Sequence, residues 1–172
     1  MKPSPSTRNL QPPGFTLVEL LTVIAIIVIL MGLLFPTIAT VKNQAKSAQA
    51  KSDATSLVTA VKAYYTEYGR YPNHFNPPWS GSDFTYNGQS GNDNEPLISI
   101  LQYATNGVAA ANLTLANPRQ IVFFEGPMAK TVGGYGIQPA DGTANGVSYK
   151  KGQFIDPWGN QYRILIDMDY DN

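Results

Sequence analysis

The chain has 172 residues, no cysteine, and 12 basic residues balanced by 12 acidic ones. The balanced charge gives no sign of a nucleic-acid or acidic-substrate partner, and the lack of thiols excludes disulfides, thiolate catalysis and Cys-based zinc sites. The length allows one domain plus an appendage.

Residues 1–14, MKPSPSTRNLQPPG, are polar and proline-rich, with Lys2 and Arg8 and no acid. Such a positive flank keeps the N-terminal side in the cytoplasm and sends the C-terminal side across a membrane. Residues 15–35 are apolar apart from Thr16, Glu19, Thr22 and Gly32. As a helix these residues extend about 31 Å, which matches a hydrocarbon core of about 30 Å. A cleavable secretory signal is the alternative. Against it, the run exceeds the ordinary signal core, and the nearest small-residue site, Thr37-Ile38-Ala39, lies beyond Pro36.

Helical patterning continues past Pro36. Ala54, Val58, Val61, Tyr65 and Tyr68 form one apolar stripe, and Lys42, Lys46, Asp53, Lys62 and Glu67 lie off it, as on a wetted face. Gly69 and then Pro72 stop the helix. Counted from Phe15 it runs on the order of 80 Å, too long for a domain of ordinary radius to bury. Its first half therefore needs lipid or copies of itself as cover.

Residues 70–172 form the globular part. Segment 72–96 reads as loop, Leu97 to Ala104 as a short helix, and Ile121 to Phe124, Gly152 to Ile155 and Tyr162 to Ile166 as strands, with antiparallel pairing expected. The fold class is α+β: a long N-terminal helix packed on a small antiparallel sheet. The divisions are a leader at 1–14, a spanning segment at 15–35, an amphipathic helix at 36–69 and an extracytoplasmic domain at 70–172.

Gly14-Phe15-Thr16-Leu17-Val18-Glu19-Leu20-Leu21 resembles the processing signal of type IV prepilins and type II secretion pseudopilins. The resemblance implies that a membrane-embedded prepilin peptidase cuts between Gly14 and Phe15 and N-methylates Phe15. Glu19 then stands at the family's functional glutamate. A carboxylate in a spanning segment is costly and wants a partner. The segment holds no Lys, Arg or His. Cleavage supplies the amine of Phe15, four residues away on the same helix face. Two arrangements stay open, a pair within one chain or between neighbouring subunits, as does a Glu19 that simply reaches the headgroups. Pro36 removes the hydrogen bond to the Gly32 carbonyl, and Gly32 is itself a weak helix former. The resemblance implies melting there on assembly; a kink at the membrane exit is the alternative.

Asp156-Pro157-Trp158-Gly159-Asn160-Gln161-Tyr162 resembles a signature of the major pseudopilin, as does Tyr64 to Pro72 at the helix exit. Pro157 and Gly159 suit a tight turn into a strand, with Trp158 free to pack on the helix. Asp167, Asp169 and Asp171 space three carboxylates by two, like the opening of a calcium loop. Calcium there, which the resemblance also implies, competes with a solvated acidic tail. His74 is the only histidine and reads as a loop residue, so no catalytic set exists and no enzyme is expected.

The leading expectation is a structural subunit of a type II secretion pseudopilus, stacking into a homo-oligomeric filament with other pseudopilins on an inner-membrane assembly platform. It would be single-pass, with a cytoplasmic N-terminus and a periplasmic domain. The alternatives are a type IV pilin for adhesion, motility or DNA uptake, and a monomeric membrane-tethered binding domain using the aromatic loop Phe75 to Tyr86.

Overall fold

The computed structural model describes residues 14–72, 83–86, 93–106 and 108–167, with Pro36 and Thr37 described by their backbone alone. His74, Asp169, Asp171 and most of the expected loop at 72–96 lie outside those residues. The chain divides into two units, Met1–Asn43 and Gln44–Asn172.

Helix α1 covers Leu17–Tyr68. It remains helical through Gly32 and Pro36, so the expected weak point stays folded here. The helix stops where the sequence places the stop: Gly69 has φ +64°, and its N–H donates to the Tyr65 carbonyl at 2.7 Å. In the first unit every described side chain from Phe15 to Phe35 is exposed. Phe15 is 79% exposed and Leu33 68%, values that an aqueous surface does not tolerate over a continuous run of this length. Among the described residues this is the one helix long and apolar enough to cross a membrane.

In the second unit α1 is followed by β1 (Phe84–Tyr86), α2 (Glu95–Gln102), α3 (Ala110–Ala116), β2 (Gly136–Ile137), β3 (Gly142–Ala144), β4 (Val147–Tyr149), β5 (Phe154–Ile155) and β6 (Ile164–Ile166). The strands form three antiparallel pairs, β1 with β6, β2 with β5 and β3 with β4. Only β3–β4 is a local hairpin. Its turn, Asn145-Gly146, has positive φ at both residues, the geometry that favours this dipeptide. The other two pairs join distant parts of the chain. This α+β arrangement agrees with the expected class.

The core is aromatic and aliphatic: Leu57, Ala60 and Tyr64 of α1 cluster with Leu97, Ile98, Ile100 and Leu101 of α2, with Leu113, and with Phe124, Ile137 and Phe154. Several sequence expectations need correction. The buried face of α1 is Asp53, Leu57, Ala60 and Tyr64, while Ala54, Val58 and Tyr65 of the expected stripe are exposed. The two stripes are adjacent, one residue or about 100° apart. The globular part selects the one with small Ala60 beside bulky Leu57 and Tyr64. Asp53 is consequently 6% exposed rather than wetted. Ile121 to Phe124 forms no strand; its backbone is committed elsewhere. The N–H groups of Phe123 and Phe124 donate to the Leu101 carbonyl, and that of Ile121 to the Asn117 side chain. Tyr86 is fully buried, so the end of the proposed contact loop Phe75 to Tyr86 is core.

Buried amides tie distant segments of this unit together in a chain that has no cysteine for disulfides. Asn117 is fully buried; its amide nitrogen donates to the Ile100 carbonyl (3.1 Å) and the Ile121 carbonyl (2.7 Å). Its oxygen accepts from Tyr68 Oη (2.6 Å) and the Ile121 N–H (3.0 Å), so all sides of the amide are used. Asn94, also fully buried, exchanges two bonds with the Phe154 backbone at 2.9 Å each and reaches the Tyr162 carbonyl at 3.3 Å.

Candidate functional site

Gly14, Phe15 and Thr16 precede the first helical residue, Leu17, and are exposed. The Gly14–Phe15 peptide bond therefore lies in non-helical backbone, with open space where a Gly14 Cβ would be. A protease needs an accessible bond outside regular helix, and the exposed, non-helical backbone here meets that condition.

Thr16 and Glu19 stand at the N-cap and third helical positions of α1. The Thr16 N–H donates to Glu19 Oε2 at 2.9 Å, and the Glu19 N–H donates to Thr16 Oγ1 at 3.3 Å. The Thr16 hydroxyl also donates to Glu19 Oε2 at 2.7 Å. This is a reciprocal capping box, which satisfies two backbone donors that a helix start leaves open. The carboxylate thus has partners within its own first turn. Glu19 also sits at the positive end of the helix dipole. The sequence carries the signal plainly as Thr-x-x-Glu before an apolar run, yet attention to the coming Phe15 amine conceals it. The box does not need that amine, because the Thr16 N–H survives a cut before Phe15.

The turn at 156–162 forms as expected. Asp156 Oδ1 accepts from the N–H groups of Trp158 (2.8 Å) and Asn160 (2.9 Å), and the Gly159 N–H returns to the Asp156 carbonyl at 3.1 Å. Gly159 has φ +95°, which a side chain resists. Trp158, however, is 48% exposed, and Tyr162 is the residue that reaches the helix. Tyr162 Oη donates to Asp53 Oδ2 at 2.8 Å. Tyr135 Oη donates to both Asp53 oxygens, at 2.9 and 3.1 Å, and Gln49 Nε2 adds a bond at 3.0 Å. Burial, reinforced by the hydrogen bond to the Asp53 carboxylate, pushes the Tyr135 hydroxyl up to about 12 and Tyr162 higher still. A buried carboxylate with three donor side chains and, among the described residues, no cation is a structural anchor, and its location off the expected stripe hid it.

Asp167 is half-buried at the end of the described chain, and Asp169 and Asp171 lie beyond it. Among the described residues no group of three His, Cys, Asp or Glu could hold a metal.

An exposed apolar helix with a capped glutamate at its start, followed by an α+β unit, is an architecture similar to that of type IV pilin-like proteins. Residues 13–35 match the family described as the prokaryotic N-terminal methylation motif. The chain is also 38% identical, over 71 residues, to the type IV major pilin protein PilA of Myxococcus xanthus. That alignment covers 41% of this chain and 32% of the pilin, so this chain spans about a third of that relative's length. No solved structure matches.

Proposed function

We propose that the chain is processed between Gly14 and Phe15, methylated at Phe15, and assembled through α1 into the pseudopilus of a type II secretion system. One observation carries the assignment: the Asp156 to Tyr162 turn, whose Tyr162 ties to Asp53 of α1 across 109 residues of sequence. That pin, with the Asn94 and Asn117 amides, does for a Cys-free head what a C-terminal disulfide loop does for common type IV pilins. A filament under load needs the head fixed to the helix that carries it.

Inner-membrane residence follows from the basic leader and the apolar run, with the head on the periplasmic side. Assembly would involve the prepilin peptidase, other pseudopilins and an assembly platform. Melting at Gly32 to Pro36 belongs to the assembled filament in this reading, since the stretch is helical in the lone chain.

The similarity to a type IV major pilin favours a second reading, a surface pilus. Deleting the gene separates the two. Loss of secreted enzymes with normal surface piliation supports the pseudopilus. Loss of surface filaments with intact secretion transfers the assignment to a pilus. Intact mass of the membrane-extracted protein tests the shared premise: residues 1–14 absent and one methyl group gained.

A further inference from the structure

Asn145-Gly146 forms the tip of the β3–β4 hairpin, and both residues are exposed. Ala144 and Val147 face each other in the register. The two-residue turn therefore closes through them, and the Gly146 N–H takes no part in the ladder. The φ angles are +51° at Asn145 and +78° at Gly146, the signature of a type I′ turn. A Cβ at Gly146 would meet nothing within 4 Å, so the tip stands in open space.

We propose that Asn145 is a site of spontaneous deamidation, a self-modification that the turn prepares. A flat five-membered ring between the Asn145 side chain and the Gly146 nitrogen needs Cβ and that nitrogen eclipsed about the Cα–C bond. A type II′ turn holds its first central residue at φ about +60° and ψ about −120°, and for an L residue that ψ is the eclipsed one. Asn145 already has the positive φ, which few side chains adopt. Rotation of the Asn145–Gly146 peptide plane alone supplies the ψ. Gly146, lacking a Cβ, accommodates φ of either sign. Both turn types close a two-residue hairpin, so the strands stay paired while the tip flips.

The only co-reactant is water. The Gly146 nitrogen gives its proton to solvent base and bonds to Asn145 Cγ. The Cγ–Nδ2 bond breaks, and Nδ2 takes up a proton and leaves as ammonia. Water then opens the ring at either carbonyl, leaving aspartate or isoaspartate at position 145. Each event adds one negative charge to a chain whose formal charge is zero. Isoaspartate also brings the side-chain methylene into the main chain, and the two-residue turn no longer fits the Ala144–Val147 register. Other positions are held back. Asp141 Oδ1, in Asp141-Gly142, accepts from the Lys151 N–H at 2.7 Å. Asn106 is half-buried against Gly152, where an added Cβ would fall 2.7 Å from the Asn106 Cβ.

Trypsin makes the test direct, because residues 131–150 leave as one peptide in which Asn145 is the only asparagine. Full-length protein in detergent micelles is aged at mildly alkaline pH, either folded or in urea. It is then digested, and amide-to-acid conversion is read by tandem mass spectrometry at Asn145 and Asn106. In the folded protein Asn145 should convert at least fivefold faster than Asn106, with the two rates converging in urea. Asn145 should also convert no more than fivefold slower folded than unfolded. The Asn145→Gln variant, whose attack would need a larger ring, should leave the peptide unchanged over the same period. Equal rates at the two asparagines in the folded protein overturn the proposal, as does a fold that slows Asn145 beyond fivefold. Acid gained in the same peptide of Asn145→Gln overturns it in favour of Gln138.

Discussion

Tyr162 and Asp53 meet at 2.8 Å although 109 residues separate them, and the bond joins the turn before the last strand to the buried face of α1. Removing one partner leaves the other polar and buried, which costs about 1–3 kcal/mol per stranded group. Asp53→Ala strands both tyrosine hydroxyls, so it should destabilise the head more than Tyr162→Phe does. A double-mutant cycle on residues 44–172, read by urea unfolding, should give a coupling of about 1–3 kcal/mol between positions 53 and 162. Additive effects would mean that the bond contributes nothing.

The two tyrosines bonded to Asp53 set an alkaline limit. The raised Tyr135 and Tyr162 hydroxyls keep their protons in the folded head where the unfolded chain, titrating near 10, has lost them. The folded state then binds more protons, so stability is fully present below about pH 10 and falls as pH climbs toward 12. Denaturant midpoints measured between pH 8 and 11.5 should fall in the upper part of that range. Tyr135→Phe should lower the neutral-pH midpoint and flatten the alkaline decline. An unchanged slope would assign the decline to other groups.

Asn117 offers a sharper structural test. Asn117→Ala removes an amide serving Tyr68 Oη, the Ile121 N–H and two carbonyls. The loss should be about 3 kcal/mol or more, lowering the melting temperature of residues 44–172 by roughly 10 °C. Asn117→Asp keeps the shape but turns two donors toward carbonyls into a charge, and should rescue little. Calorimetry distinguishes these outcomes from an ordinary surface substitution, which changes stability by less than about 0.5 kcal/mol.

At the helix start, Thr16→Ala breaks the capping box while leaving Glu19 in place. Amide exchange at Leu17 to Leu20 in micelles should accelerate about fivefold, the size of an ordinary N-cap loss. Thr16→Ser should restore the slow rate. If filament assembly uses the same positioned carboxylate, Thr16→Ala should lower filament yield with processing intact, and Ser should recover it. Glu19→Ala should likewise leave processing unchanged and impair assembly.

The long helix, its stop at Gly69, helix α2 and the turn at 156–162 were readable because each rests on local chemistry. They follow from apolar run length, a left-handed glycine, a short periodic segment, and the fit of Asp, Pro and Gly to a turn. The buried face of α1 was not, since two adjacent stripes have similar apolarity and only the tertiary partner decides between them. Asp53 looked like a surface acid because its donors, Tyr135 and Tyr162, arrive from 82 and 109 residues away. Strands β1, β2 and β5 have three residues or fewer and pair at long range, below what alternation can reveal. Thr16 is a different case: the capping signal was local and legible, and the stronger family motif overlying it drew the reading to Glu19 alone.

The amide pins of Asn94 and Asn117 form without electron transfer. A head closed by carboxamides needs no thiol oxidase, no isomerase to correct mispaired bridges and no oxidising surroundings. It can reach its final shape as readily without oxygen as with it, and reductants that would open a disulfide leave its joints untouched.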